Sequence, residues 1–191
     1  MSTQNRTLVH PPATSTADII RLLLSSQRFT AGEDISVLDH GLQTADILRR
    51  AFPDDLELQV AGLVHDIDHV IGCHPSRHGV TAADYLGGVL PFSLTELVRL
   101  HAIAKRFLIN LDPAYADRLS VASIASLQFQ GNDPDSDEID LFIADPQHRR
   151  VVALRRADDQ AKVPGLRVPT LTSWIPVILE VAAADRSTGR W

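Results

Sequence analysis

Apolar residues recur every three or four positions along most of the chain, which is the spacing of amphipathic α-helices. Thr14–Thr16 supplies cap-forming side chains for a first helix that runs through Ile19 to Leu24. Glycine and proline residues separate the remaining helices, which we predict over 37–51, 55–69, 78–88, 93–108, 114–129, 136–144, 147–161 and 171–184. The alternation typical of strands is nearly absent. We therefore predict an all-α fold, in which one helical bundle domain over 14–191 follows a flexible arm over 1–13.

The bulk composition restricts the class of protein. The 191 residues suit one domain with a sizeable core, and the net charge of −6 does not fit a nucleic-acid binder, which usually carries a basic excess. No apolar run reaches the ~20 residues that span a bilayer, and the first residues lack the pattern of a signal peptide. The single cysteine, Cys73, cannot form an internal disulfide. We therefore expect a cytoplasmic protein that binds neither nucleic acid nor membrane.

The candidate chemistry lies in histidine and aspartate residues, and its centre is the adjacent pair His65-Asp66. This pair closes an apolar helical run, where buried polar groups need a partner or a metal. A single histidine near an apolar face is more often a hydrogen-bonded core residue, but six of the eight histidines fall between positions 40 and 101. The candidate metal ligands are His40, His65, Asp66, His78, His101 and Asp158.

Three details of the spacing shape this site. Adjacent helical side chains point about 100° apart, so His65 and Asp66 can flank a site at the helix end, and the two carboxylate oxygens of Asp66 can bridge two metals. His74 lies four residues before His78, but an intervening proline breaks that helix, so we assign His74 to a loop. His69 shares a helical face with His65, and it contacts either a bound substrate or, through a hydrogen bond, a metal ligand.

The order of these residues, H…HD…D, resembles the HD-domain superfamily, which is named after its His-Asp pair. Members of this superfamily are all-α and bind metals through these positions. The two further histidines resemble the subset with a dinuclear site, in which the aspartate of the pair bridges the metals. The implied ligand sets are His40, His65 and Asp158 for one metal, His78 and His101 for the other, and Asp66 for both.

Most HD-domain proteins are phosphohydrolases, whereas a smaller branch uses a mixed-valent diiron pair to activate oxygen. Four segments of this chain, within residues 28–165, resemble the PhnZ-like members of that branch, which cleave hydroxylated organophosphonates. Residues 65–72 resemble HDIGHxxG, with Asp68 in place of a glycine, and residues 101–106 resemble HxxAKR. Residues 119–132 resemble LSxAS…QGG, with Asn132 in place of its last glycine, and residues 154–162 resemble LRxxDDxAK.

The resemblance implies an oxygenase that breaks the C–P bond of a 1-hydroxyalkylphosphonate, with or without an amino substituent. Its cofactors would be two iron ions, Fe(II)/Fe(III), its co-substrate O2, and its products inorganic phosphate and a carboxylic acid. Lys105, four residues after the ligand His101, would bind the phosphonate and, with His69, act in catalysis. Ser123 and Gln130 are seven residues apart, two turns of a helix, and would bind phosphonate oxygens from one face. The implied pathway partner is an upstream hydroxylase.

The loop before the first ligand departs from the family pattern. Where the family carries a tyrosine that caps an iron in the resting state, this chain has Thr30, with Phe29 beside it. Glu33 fits the glutamate that holds the cationic end of the substrate, although a solvated loop carboxylate is an equally good interpretation. Two other functions stay open: a phosphohydrolase acting on a nucleotide or small phosphate ester, and a metal-binding regulatory module without turnover. The intact ligand set and Lys105 argue against the second, because a degenerate domain would be free to lose them.

Overall fold

The structure is a computed structural model, and it describes residues 10–30, 34–131 and 134–187. Within these ranges, regular secondary structure consists of ten α-helices and two short 3-10 helices, with one isolated bridge between Thr30 and Ser36. The α-helices are α1 (Thr16–Ser26), α2 (Val37–Ala51), α3 (Leu56–Val64), α4 (Asp68–Ile71), α5 (Val80–Leu86), α6 (Phe92–Leu111), α7 (Val121–Leu127), α8 (Ser136–Ala144), α9 (His148–Gln160) and α10 (Leu171–Ser187). The 3-10 helices are Pro75–Arg77 and Pro113–Arg118. The predicted all-α fold is confirmed.

Side-chain caps explain where several helices begin. Ser15, Ser36 and Ser120 each accept a main-chain N–H in the first turn of α1, α2 and α7. Asp135 and Glu138 form a reciprocal capping box at the start of α8. The acidic run before α8 therefore serves as a helix start, where negative charge is favoured by the helix dipole.

Four helices, α2, α3, α6 and α9, form the centre of the fold. Helices α2 and α6 each pack against both α3 and α9, so the four enclose a shared interior. Helix α10 packs on α3 and α1, and α5 packs on α6. Buried side chains such as Trp174, Leu154 and Leu97 fill the spaces between these helices. None of the helices in the described ranges combines the length and the hydropathy that a membrane span requires.

Helices α2 and α3 approach each other so closely that their contact requires glycine. A Cβ atom on Gly41 would lie 2.5 Å from the main-chain oxygen of Leu63, and one on Gly62 would lie 2.6 Å from a leucine side chain of α2. Gly41 directly follows His40, and Gly62 lies three residues before His65. The close approach of the two helices therefore determines how near these two candidate ligands lie.

The single helix predicted over 55–69 is wrong. Helix α3 ends at Val64, and α4 starts at Asp68. Around this break, the N–H groups of Ile67 and His69 each bond to the carbonyl three residues earlier, which tightens the chain into turns. The bend separates His65 from the residues that follow it, so the chain can surround a site instead of passing it along one straight helix.

Two of the other predicted helices differ from the structure because of identifiable features of the main chain. The helix predicted over 78–88 begins only at Val80, because Gly79 has a φ of 78° and lies outside the helical region. The helix predicted over 114–129 is two elements, because Leu119 is extended and the next residue caps a new helix. Of the predicted arm, residues 1–9 lie outside the described ranges, whereas Ala13 is buried and donates its N–H to the carbonyl of Tyr85 at 2.9 Å.

Gly41→Ala should destabilise the fold by about 1–3 kcal/mol, because the added methyl group meets a main-chain carbonyl that cannot move aside as a side-chain tip can. Urea unfolding followed by circular dichroism measures the change. Gly87→Ala is the matched control, since a Cβ atom there would meet only the carbonyl of Ala83 at 3.4 Å. Equal unfolding midpoints for the wild type and Gly41→Ala would contradict the close helix contact.

Candidate metal centre

Each of the four central helices brings one candidate ligand to the same interior region. The four are His40 on α2, His65 at the C-terminal end of α3, His101 on α6 and Asp158 on α9. All four side chains are buried. Asp66, in the turn after α3, and His78, in the loop before α5, lie against them. The structure thus places all six predicted ligands in one cluster, although they span residues 40 to 158 of the sequence.

Asp66 lies between two pairs of imidazole rings. The Nε2 atoms of His40 and His65 are 3.3 Å apart, and those of His78 and His101 are 2.8 Å apart. Oδ1 of Asp66 lies 3.3 Å from Nε2 of His78 and 3.4 Å from Nε2 of His65. Oδ2 lies 3.5 Å from Nε2 of His40. Atoms that bind one cation at about 2.0–2.2 Å lie about 3–3.5 Å from one another, and most of these separations fall in that range.

In each ring, the partner of Nδ1 determines whether Nε2 can offer its lone pair to the centre of the cluster. In three rings, Nδ1 lies within hydrogen-bonding distance of a main-chain carbonyl oxygen. The pairs are His40 with Ala161 at 2.8 Å, His65 with Gly62 at 2.9 Å, and His101 with Val98 at 2.6 Å. Because a carbonyl oxygen only accepts, Nδ1 donates, and Nε2 of the neutral ring directs its lone pair inward. In His78, a carboxylate oxygen of Asp68 takes the place of the carbonyl, 3.3 Å from Nδ1.

This donor set fits a metal. Inward-facing imidazole lone pairs repel one another and the carboxylates of Asp66 and Asp158 unless protons or metal cations lie between them. No hydrogen-bond donor within the described ranges reaches the buried Oδ1 of Asp66, which a bridging carboxylate would use for a metal. The hydrogen bonds from Nδ1 to fixed acceptors are the arrangement that orients histidine ligands in metalloproteins.

Metal binding needs neutral imidazoles and ionised carboxylates, and the groups of the cluster differ in how far they meet this condition without a metal. Burial, with positive charge at His78 and His65, lowers the pKa of His101 to about 3, so this ring is neutral at pH 7. Burial alone would raise the pKa of Asp66, but the surrounding histidines hold it well below its usual value. Burial would lower the pKa of His78, but Asp68 raises it well above the usual value on balance. Burial would also lower the pKa of His65, but Asp66 and Asp158 raise it on balance. A metal would therefore displace protons from His78 and His65.

Asp158 completes the half of the cluster formed by His40 and His65. Its two oxygens lie 3.2 Å from Nε2 of His40 and 3.7 Å from Nε2 of His65. Burial would raise the pKa of Asp158, but the buried guanidinium of Arg155 and the two histidines lower it well below its usual value. Arg155 also pairs with Asp159. Arg155 is not among the predicted site residues, although its three- and four-residue spacing from these carboxylates is typical of a helical ion pair.

A cavity of about 310 Å³ opens beside the cluster. The predicted substrate residues that line it are His69, Lys105, Ser123 and Gln130. The cavity also touches four of the candidate metal ligands, which are His40, Asp66, His78 and Asp158. One continuous space therefore reaches from the ligand cluster to the predicted substrate contacts. His74, by contrast, is exposed on the loop before His78 and hydrogen-bonds Ser76.

Two lysines form the polar wall of this cavity. Lys105 is only 2 % exposed, and its Nζ lies 2.6 Å from Oγ of Ser126 and 3.3 Å from the carbonyl of Ser123. Burial and the nearby guanidinium of Arg155 lower the pKa of Lys105 to about 8. Nζ of Lys162 lies 2.7 Å from Oγ of Ser123. Lys162 and Ser126 are not among the predicted site residues, although both lie within the segments that resemble the phosphonate oxygenases.

The geometry predicted for Ser123 and Gln130 is wrong in one respect. They do not share the face of one helix, because α7 ends at Leu127 and the chain continues in turns through Gln130. Both residues nevertheless line the same cavity. Oε1 of Gln130 is buried and has no donor within the described ranges.

The loop before α2 supplies a further contact. Thr30 lines the cavity, whereas Phe29 is 40 % exposed. At the position where the family pattern has a tyrosine, the structure therefore places the small hydroxyl side chain of Thr30 at the cavity. Glu33 lies outside the described residues, and its contact with the substrate stays a prediction.

Known proteins show which class of HD-domain protein this is. No protein-family model matches the chain. It is 36% identical to hydroxymethylphosphonate dioxygenase of Gimesia maris over 152 residues. The alignment covers 74% of this chain and 75% of that protein. It is 31% identical to the glycine-betaine-forming [1-hydroxy-2-(trimethylamino)ethyl]phosphonate dioxygenase of Leisingera caerulea over 156 residues. That alignment covers 77% of this chain and 79% of the relative. A match to a probable inositol oxygenase of Oryza sativa covers 30% of this chain.

The helical fold, the His/Asp cluster and these relatives together define an oxygenase of the HD-domain class. Within that class, the chain belongs to the PhnZ-like hydroxyphosphonate dioxygenases. The predicted family is therefore confirmed, and the oxygenase is favoured over the phosphohydrolase.

Asp66→Ala should strongly reduce the metal content of the protein, because it removes the carboxylate that lies between the two imidazole pairs. Metal analysis after anaerobic loading with Fe(II) and gel filtration measures the effect. His74→Ala is the matched control, since it removes an exposed imidazole from the same region of the chain. Unchanged metal content in Asp66→Ala would show that the cluster is not held by this residue.

Proposed function

We propose that this protein uses two metal ions and O2 to cleave the C–P bond of a 1-hydroxyalkylphosphonate, which yields inorganic phosphate and a carboxylic acid. The proposed cofactor is an iron pair, Fe(II)/Fe(III). The proposed ligand sets are His40, His65 and Asp158 for one iron, His78 and His101 for the other, and Asp66 for both. The identity of the relatives and the nitrogen- and carboxylate-rich donor set support this proposal.

The observation that carries the proposal is the continuity of the cavity between the ligand cluster and two lysine side chains. A phosphonate dianion requires positive charge, and Lys105 and Lys162 provide it at the same wall. The hydroxyl groups of Ser123 and Ser126 and the amide of Gln130 add hydrogen-bonding groups. A phosphonate bound there would leave the hydroxylated carbon of the substrate facing the ligand cluster.

When bound, the metal pair would supply the activation of O2 and the polarisation of substrate oxygens. The protein residues bind and orient the substrate. Lys105 neutralises the phosphonate, and its burial strengthens this interaction because little water competes for the charge. His69, whose side chain is 42 % exposed, lies at the cavity with Nε2 3.9 Å from Asp66, and we assign it to the hydroxyl group of the substrate.

The atom balance of the proposed reaction is simple. One O2 is consumed for each C–P bond broken, and one oxygen atom enters the carboxylic acid while the other enters phosphate. The carbon is oxidised, and O2 is fully reduced without an external reductant. The hydroxyl group on the carbon must already be present, so a hydroxylase that acts on the parent phosphonate is the proposed pathway partner.

Removal of O2 tests the proposed reaction. Iron-loaded protein should release phosphate from hydroxymethylphosphonate or a longer 1-hydroxyalkylphosphonate in air, with one O2 consumed per phosphate, and release should stop under anaerobic conditions. Oxygen-electrode and phosphate assays on the same sample measure both quantities. Continued phosphate release without O2 would indicate a phosphohydrolase. Full metal loading without turnover of phosphonates or phosphate esters would instead indicate a regulatory module.

Lys105→Met should lower kcat/KM roughly tenfold to a hundredfold at pH 7, because a hydrogen bond to a charged group contributes about 1.5–3 kcal/mol. In the wild type, the ammonium of Lys105 is charged below its pKa of about 8 and neutral above it, so KM should rise as the pH increases through 8. The methionine variant should lack this rise. Steady-state kinetics from pH 6.5 to 9.5 measure the profiles, with metal content as the control. An unchanged kcat/KM in Lys105→Met would contradict the phosphonate pocket.

A further inference from the structure

His78 differs from the other three imidazole ligands in how the main chain holds it. Those three lie on helices or at a helix end, whereas His78 lies in the loop between the 3-10 helix Pro75–Arg77 and α5. Residues 74–77 of this loop are exposed, and the next residue, Gly79, has a φ of 78°. A ligand in such a loop needs another restraint if its ring is to keep a fixed direction.

We propose that Asp68 is this restraint, a positioning residue that holds His78 toward one metal of the pair. The side chain of Asp68 is 0 % exposed. One of its oxygens, Oδ2, accepts the main-chain N–H of Gly79 at 2.7 Å and lies 3.3 Å from Nδ1 of His78. The same oxygen therefore fixes both the main chain next to His78 and the ring itself, and it leaves Nε2 to face the cluster.

The space around Gly79 shows how closely this loop lies against α6. A Cβ atom on Gly79 would lie 2.7 Å from the main-chain oxygen of Val98 and 3.1 Å from Cε1 of His101. The loop is thus pressed against α6, one turn of helix from the partner ligand His101. The hydrogen bond from the N–H of Gly79 to Asp68 holds the loop in this position.

Asp68 also distinguishes this chain from the segment that it resembles, which has glycine at the same place. Glycine has no side chain that could reach either Gly79 or His78. A buried carboxylate is unfavourable unless it is paired, and Oδ1 of Asp68 has no donor within the described ranges. Such a residue is consistent with a role at the metal site. Removal of the group that hydrogen-bonds a histidine ligand typically weakens metal binding about 10- to 100-fold, and we expect a similar effect here.

The test measures metal binding and not turnover. Under anaerobic conditions, the wild type should bind two Fe(II) ions in equilibrium dialysis. Asp68→Ala should bind one of them 10- to 100-fold more weakly, about the loss typical for such partners, and leave the other unchanged. Asp68→Asn is the matched variant, because its amide oxygen can accept both hydrogen bonds, and it should retain two tight sites. If Asp68→Ala does not fold, Asp68→Gly replaces it as the test variant, since the family segment carries glycine at this position.

Electron paramagnetic resonance gives a second readout. After partial oxidation at an Fe(II) concentration that fills both wild-type sites, the wild type and Asp68→Asn should show the signal of a coupled Fe(II)/Fe(III) pair, which Asp68→Ala should lack. Equal affinities in Asp68→Ala and the wild type, or an asparagine variant as weak as the alanine variant, would overturn this inference. It rests on the proposed two-metal site, so a wild type that binds fewer than two ions would overturn both proposals, whereas two tight sites in Asp68→Ala would overturn only the role of Asp68.

Discussion

Ring nitrogens of four histidines converge on Asp66, and the surrounding helices and loops hold them there. Three rings donate Nδ1 to main-chain carbonyls and one faces a carboxylate, so all four direct Nε2 to the same interior. Nε2 atoms 2.8–3.3 Å apart in a buried site repel each other unless a proton or a metal cation lies between them. The fold thus keeps together groups that would separate if they were free, and a bound metal pair would compensate for that cost.

The helical bundle supplies the rigidity that this arrangement needs. Each central helix contributes a ligand, and the close approach of α2 and α3 at Gly41 and Gly62 sets the first pair of imidazoles. The remaining ligands depend on breaks in helical structure. The turns after Val64 direct Asp66 between the rings, and the left-handed Gly79 brings His78 against α6. The regular helices thus position four of the ligands, and the irregular main chain positions Asp66 and His78.

Two chemically different sets of residues line the cavity. Ionised Asp66 and Asp158 suit cations, whereas Lys105 and Lys162 suit an anion. A hydroxyphosphonate has both an anionic group and neighbouring oxygens that can bind metal, so it matches both sets of residues at once. Thr30 leaves a small side chain at this cavity where the family pattern has a tyrosine.

The helical class, the spans of α2 and α8 and the identity of the ligand candidates can be predicted from the amino-acid sequence. Caps, apolar spacing and motif order are local properties, and a single chain displays them without its fold. The folded chain alone shows that the candidates meet, that Lys105 is buried, and that Asp68 contacts His78 and Gly79. These contacts join residues far apart in the sequence, and their distances depend on how helices pack and where the main chain turns, which local spacing does not specify.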